Sequence, residues 1–151
     1  MIRAIYIKGE DLTDAFFIRK KVFIEEQKID VNIDFDDLDK DAIHVVAYED
    51  NYPVGTGRLI NKENIYIIGR IAVLKEKRGN YYGDLIVRML IKKAFDSGAE
   101  FVDIHSQLSA ISFYKKIGFK EYGKKYVVAS IEHIDMRLLK ENFKTCCSSN
   151  K

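Results

Sequence analysis

The residues best suited to chemistry lie at 75–83, Lys-Glu-Lys-Arg-Gly-Asn-Tyr-Tyr-Gly, a basic, glycine-containing turn between a strand-like run and a helical pattern. The leading amides of a helix have no intrahelical acceptor, and the helix dipole favours anions there. Arg78 adds a fork of charged donors suited to a pyrophosphate. Such a turn can cradle phosphate, and it can equally serve plain strand-to-helix geometry. A second cluster is acidic. Asp30, Asp34, Asp36, Asp37, Asp39 and Asp41 crowd residues 27–41, which fit neither the helical nor the strand period. A calcium loop of the helix-loop-helix kind would need a Gly at its bend and a closing Glu, and neither is in place. A solvated loop, or one that draws a cationic substrate, is the expectation. Cys146 and Cys147 are adjacent in a polar tail, so they make no long-range staple, and no His stands near them. No metal is expected.

The elements that must position these groups follow from periodicity. Residues 1–8 alternate as a first strand. Leu12, Ala15, Phe16, Arg19, Val22 and Phe23 fall on one helical stripe, with Asp11 as its N-cap. Residues 44–48 and 54–60 read as a hairpin around the turn that holds Pro53, and 65–74 is a nearly all-apolar, β-rich run of the kind covered on both faces. Leu85, Ile86, Met89, Leu90 and Ala94 mark a second helix ended by Gly98, residues 101–105 a strand, and Ala110, Phe113, Tyr114 and Ile117 a third helix closed by Gly118. Residues 119–122 and 130–138 read as closing strands. This order predicts a layered α/β domain with a partly antiparallel sheet.

Bulk properties narrow the field. A chain of 151 residues with 47% hydrophobic and 32% charged residues is expected to form one domain with a real core, here residues 1–140, followed by a polar tail at 141–151. The net charge of +2 and the lack of a dense basic tract with interleaved aromatics argue against a nucleic-acid partner. No run approaches the roughly 20 apolar residues of a membrane span, and the N-terminus lacks the apolar region of a signal peptide. A cytoplasmic protein is expected.

Residues 69–73 (Gly-Arg-Ile-Ala-Val) followed by 78–83 resemble the coenzyme A motif of the GCN5-related N-acetyltransferase (GNAT) family, Q/R-x-x-G-x-G/A, and 113–119 (Phe-Tyr-Lys-Lys-Ile-Gly-Phe) resemble its second motif. Residues 19–27, 36–39 before His44, and 131–136 look like the ElaA-like or YjcF-like branch of small bacterial acetyltransferases. The resemblance implies a mixed, mostly antiparallel central sheet of about six to seven strands with helices on both faces. It also implies acetyl-CoA as acyl donor and a primary amine of a small molecule or peptide as acceptor. A homodimer is a further expectation.

By that resemblance Ile71, Ala72 and Val73 offer main-chain groups to the pantetheine, and an amide near Val73 polarises the thioester carbonyl. Arg78, Gly79, Asn80, Tyr81, Tyr82, Gly83 and Asp84 line the pyrophosphate turn, with Gln107, Phe113 and Lys116 nearby. Tyr114 matches the family's proton donor to the departing thiolate, although its apolar stripe also suits a core aromatic. Phe23, Glu26 and Asp36 are candidates for the acceptor side. An acceptor ammonium must lose a proton, and Glu26, His44, His105 and His133 are candidate bases, His133 occupying a position typical of the branch. Three departures stand out around it: Val128 where Glu is usual, Ser130 where Gly is usual and Glu132 where Pro is usual. Tyr81 replaces the first motif glycine. If that position needs positive φ, Tyr is strained there; if it needs only close approach, the ring can swing outward. A non-catalytic acyl-CoA-binding domain is the alternative reading.

Overall fold

The computed structural model describes residues 1–9 and 11–143. Cys146 and Cys147 lie outside the described residues. Strands β1 (Ile2–Lys8), β2 (Ile43–Glu49), β3 (Tyr52–Lys62), β4 (Ile65–Val73), β5 (Phe101–Gln107), β6 (Lys120–Val128) and β7 (Ile131–Leu139) form one sheet of order β1-β2-β3-β4-β5-β7-β6. Every pairing is antiparallel except β4 with β5. The period-2 pattern explains the two cores. Val45 and Ala47 of β2 enter one cluster with helix α3 (Tyr82–Asp96) and helix α4 (Ile111–Ile117), while Val46 and Tyr48 enter another beneath helix α1 (Thr13–Arg19).

Three local features shape the middle of the sheet. β3 and β4 slip register between Thr56↔Ala72 and Arg58↔Gly69, which leaves Gly57 opposite a bulge and Arg70 at φ 54. A Cβ on Gly57 would stand 2.5 Å from Ile71 Cδ1 and 2.8 Å from Ile86 Cγ2, so only glycine lets α3 sit this close. The parallel pairing of β4 with β5 covers only Tyr66–Ile68 against Val102–Ile104, whereas on its other edge β5 pairs with β7 along its whole length, Phe101–Gln107.

The first helix departs from expectation. Leu12 rather than Asp11 is the N-cap by backbone, although the Asp11 carboxylate accepts from the Thr13 amide. After Arg19 the helix widens into π-helical turns over Lys20–Glu26, with the Gln27 amide donating to the Val22 carbonyl.

Residues 27–41, read as irregular, hold a four-residue helix α2 (Val31–Asp34) capped by Asp30 and a 3₁₀ turn at Asp39–Asp41. Three of their carboxylates are turned inward, while Asp30, Asp37 and Asp41 stay exposed. Asp34, Asp36 and Asp39 meet Arg19, Arg58 and Arg70 in one network, with Arg19 Nη1–Asp39 at 2.7 Å, Arg58 Nη1–Asp36 at 2.7 Å and Arg70 Nη2–Asp36 at 3.2 Å. Three cations cancel three anions. β6 also runs further than its apolar pattern showed, because Gly123 at φ 81 breaks its alternation at a register shift against β7. Among the described residues no helix is long and apolar enough to cross a membrane.

Candidate active site

Where β4 and β5 part, a cleft of about 500 Å³ opens between residues 69–73 of β4 and residues 104–107 of β5. Phe113 and Tyr114 of α4 and Val22 and Phe23 of the π-helical segment also line it. Ile71, Ala72 and Val73 thus stand on the cleft wall, on the side of β4 that has lost its strand neighbour.

Arg78 lies between this cleft and a second hollow formed by the turn and the start of α3. Its Nε donates to the Val73 carbonyl at 3.0 Å, and its two terminal nitrogens reach the Glu26 carboxylate. The hydrogen bonds from Arg78 hold the Glu26 carboxyl below the ordinary carboxylate value. The first intrahelical bond of α3 runs from the Leu85 amide to the Tyr81 carbonyl, and no side chain caps the helix. The amides of Tyr82, Gly83 and Asp84 therefore lead the helix with no helical acceptor. Gly79 at φ 84 turns the chain into the helix, Asn80 Nδ2 ties back to the Lys77 carbonyl, and Lys77 and Tyr82 both bind Glu49 at the end of β2. Tyr81 takes φ 67 and ψ 13, the left-handed conformation, with its ring 83% exposed. Both halves of the expectation meet there: the backbone needs positive φ and the ring swings out.

Tyr114 is buried, packed edge-on between Phe113 and Phe119, and borders the cleft. Burial raises its hydroxyl above the ordinary tyrosine value, so it stays protonated at neutral pH. Lys116 is exposed and does not line the cleft. Gln107 does: its amide donates to Gln27 Oε1 at 3.0 Å, a bridge across the cleft mouth. Gln27 was legible only as part of a family segment, since a single polar residue after a helix carries no periodic signal.

The histidines separate. His44 is sealed in the protein, its Nε2 donating to the Asp39 carbonyl at 2.9 Å and its Nδ1 without a partner among the described residues; burial lowers its basicity. His105 and His133 both border the cleft. His133 Nδ1 donates to the Ile131 carbonyl at 2.8 Å and its ring stacks on Tyr126. His105 Nδ1 meets Asp135 Oδ1 at 2.6 Å. Phe23 borders the cleft, Glu26 is gripped by Arg78 at its edge, and Asp36 faces Arg58 and Arg70 rather than the cleft.

The donor set fits a CoA thioester: an unpaired edge of β4 for an extended amide chain, leading helical amides beside Arg78 for phosphates, and a protonated tyrosine between them. Comparisons with known proteins agree. A family profile described as acetyltransferase (GNAT) domain matches residues 16–140. The uncharacterized N-acetyltransferase YjcF of Bacillus subtilis (strain 168) is 36% identical over 137 residues, covering 89% of this chain and 98% of that protein. Among solved structures, an acyl-CoA N-acyltransferase from Pseudomonas aeruginosa superposes with TM-score 0.82 at 24% identity, covering 91% of this chain and 99% of that one. Escherichia coli ElaA also superposes with TM-score 0.82, at 21% identity and with the same coverage, so these two share the fold.

Proposed function

The chain belongs to the GNAT acetyltransferase family and is an acetyl-CoA-dependent acyltransferase, and from that premise we propose that it acetylates a primary amine of a small molecule or peptide, with Tyr114 as general acid. The observation that carries this reading is the parting of β4 and β5 with a protonated Tyr114 at the gap. The thioester, when bound, supplies the acetyl electrophile and a thiolate leaving group. The main chain of Ile71 to Val73 orients it, with an amide near Val73 aimed at the carbonyl oxygen as charge develops. The amides of Tyr82, Gly83 and Asp84 take the phosphates together with Arg78. Tyr114 gives its proton to the departing sulfur, and an imidazole on the β5–β7 wall takes one from the amine.

The acceptor pocket is mostly apolar, with Val22, Phe23, Ile29 and Ile33 along it. Its nearby carboxylates are neutralised by arginines. An amine carried on an apolar body suits it better than a polycation. Calorimetric titration with acetyl-CoA, beside desacetyl-CoA and adenosine, tests the donor site: micromolar binding that prefers acetyl-CoA is expected, and no binding at millimolar concentration would remove the reading. Thiol release with a panel of primary amines then tests transfer.

A further inference from the structure

We infer that His105 is the general base of this acyl transfer and that Asp135 and Tyr126 are its positioning residues; the inference rests on the amine-acetylating reading above. His105 and Asp135 face each other directly across the β5–β7 ladder. The ionised carboxylate can only accept, so Nδ1 of His105 carries the proton in their 2.6 Å contact and Nε2 keeps a bare lone pair. The same Asp135 Oδ1 accepts from the Tyr126 hydroxyl at 2.6 Å. Burial and that hydrogen bond raise Tyr126 above its ordinary value, so it remains a donor. Three strands thus fix one imidazole: β5 carries it, β7 orients it and β6 braces the carboxylate. His105 has a side chain 52% exposed and borders the cleft, so its free nitrogen is open to an acceptor.

His133 borders the same cleft but leans on a neutral backbone carbonyl, which cannot stabilise an imidazolium as a carboxylate does. The other groups around His105 are already engaged. Asp103 of β5 is held by Arg137 of β7 and Tyr122 of β6, Gln107 by Gln27 after the π-helical segment, and Arg70 of β4 by Asp34 and Asp36. The nitrogen of the acceptor sheds two protons. One passes from the ammonium to His105 Nε2 and on to solvent, which frees the lone pair that forms the N–C bond. The C–S bond breaks, the sulfur is protonated by Tyr114, and Tyr114 recovers its proton from the nitrogen through solvent.

The test measures kcat and KM from pH 6 to 10 for wild type, His105→Gln, Asp135→Asn and His133→Gln. It uses acetyl-CoA with spermidine, phenethylamine and an N-terminal peptide amine. His105→Gln should lower kcat by about 10²–10⁴-fold with acetyl-CoA binding kept, and remove the acid limb of the profile. Asp135→Asn keeps an acceptor for Nδ1 but not the charge, and should lower kcat by a smaller factor while moving the acid limb to lower pH. Wild-type rate and profile in His105→Gln, or an equal loss in His133→Gln, would overturn the assignment alone. A wild type that binds acetyl-CoA but releases no thiol with any amine would overturn the transferase reading and this inference together. Nitrogen-15 spectra of the wild-type protein give an independent reading: a His105 tautomer protonated on Nδ1 supports the inference, and one protonated on Nε2 overturns it.

Discussion

Glu26 holds Arg78 through both carboxylate oxygens, each 2.8 Å from a guanidinium nitrogen, so the cation we propose for the cofactor's phosphates already has an anion. The pair is partly exposed and therefore weak, roughly 0.2–1 kcal/mol. On that proposal, phosphates must take Arg78 from Glu26. Glu26→Gln is expected to tighten CoA binding by about two- to fivefold and Arg78→Ala to weaken it about tenfold, as read by calorimetry at low and high salt. Weaker binding in Glu26→Gln would show the carboxylate helping rather than competing.

Tyr114→Phe should cut turnover by about 10²-fold or more while leaving the dissociation constant of acetyl-CoA nearly unchanged. Turnover close to wild type would return Tyr114 to the role of a packed aromatic between Phe113 and Phe119.

Gly83 separates folding from binding. A Cβ there would meet the Phe113 ring at 3.5 Å, an ordinary contact, so the protein itself tolerates alanine. Gly83→Ala should leave the melting temperature unchanged or higher, since alanine favours helix, yet weaken CoA binding by about tenfold through crowding at the leading amides. Unchanged affinity would place the phosphates elsewhere.

Tyr81 carries backbone strain of about 1 kcal/mol in its left-handed conformation. Tyr81→Gly removes it and should raise the melting temperature by roughly 1–3 °C, partly offset by glycine's entropy in the unfolded chain. Differential scanning calorimetry decides it, and a lower melting temperature would show the exposed ring doing work that the contacts do not reveal.

The arginine–aspartate network and His44 should set the acid limb of stability. Burial depresses His44 from its ordinary 6.5, so its contribution is complete above pH 6.5 and falls away as pH drops below it. Burial pushes Asp36 and Asp39 up, but their arginine partners outweigh it and hold both below 3.8, so their contribution is present above pH 3.8 and is lost as pH falls further. Asp34, raised by burial, runs the opposite way and offsets part of that loss. His44→Gln should flatten the fall of the urea-unfolding free energy just below pH 6.5, and Asp39→Asn should cost about 3 kcal/mol at neutral pH. An unchanged profile in His44→Gln would remove the first step.

Much of this was legible in the sequence because it rests on period. The nearly apolar run at 65–74 became β4, the stripe from Leu85 to Ala94 became α3, and Gly98 and Gly118, both at positive φ, ended helices as expected. The left-handed conformation at Tyr81 was one of two alternatives that the missing motif glycine left open. What escaped were pairings between distant residues. Nothing local tells that Asp34, Asp36 and Asp39 turn inward onto Arg19, Arg58 and Arg70, or that Gln27 reaches Gln107. His105 and Asp135 lie 30 residues apart, and only the β5–β7 register joins them. The π-helical turns at Lys20–Glu26 also left no trace, since they keep the apolar stripe while shifting its phase.

The short contact between β4 and β5 has a mechanical consequence. Two rafts of strands, β1 to β4 and β5 to β7, meet in the sheet along the three rungs from Tyr66 to Ile68, with α3 laid over the join. Val73 lies five residues beyond the last rung, a lever of about 16 Å at 3.3 Å per residue. A tilt of about four degrees at the rungs moves its tip by roughly 1 Å, enough to misalign a reacting pair. The stiffness of the reaction geometry is thus set at rungs that include Ile67, Ile68 and Asp103, which do not line the cleft, and repacking these positions acts on rate from the fulcrum without touching either substrate.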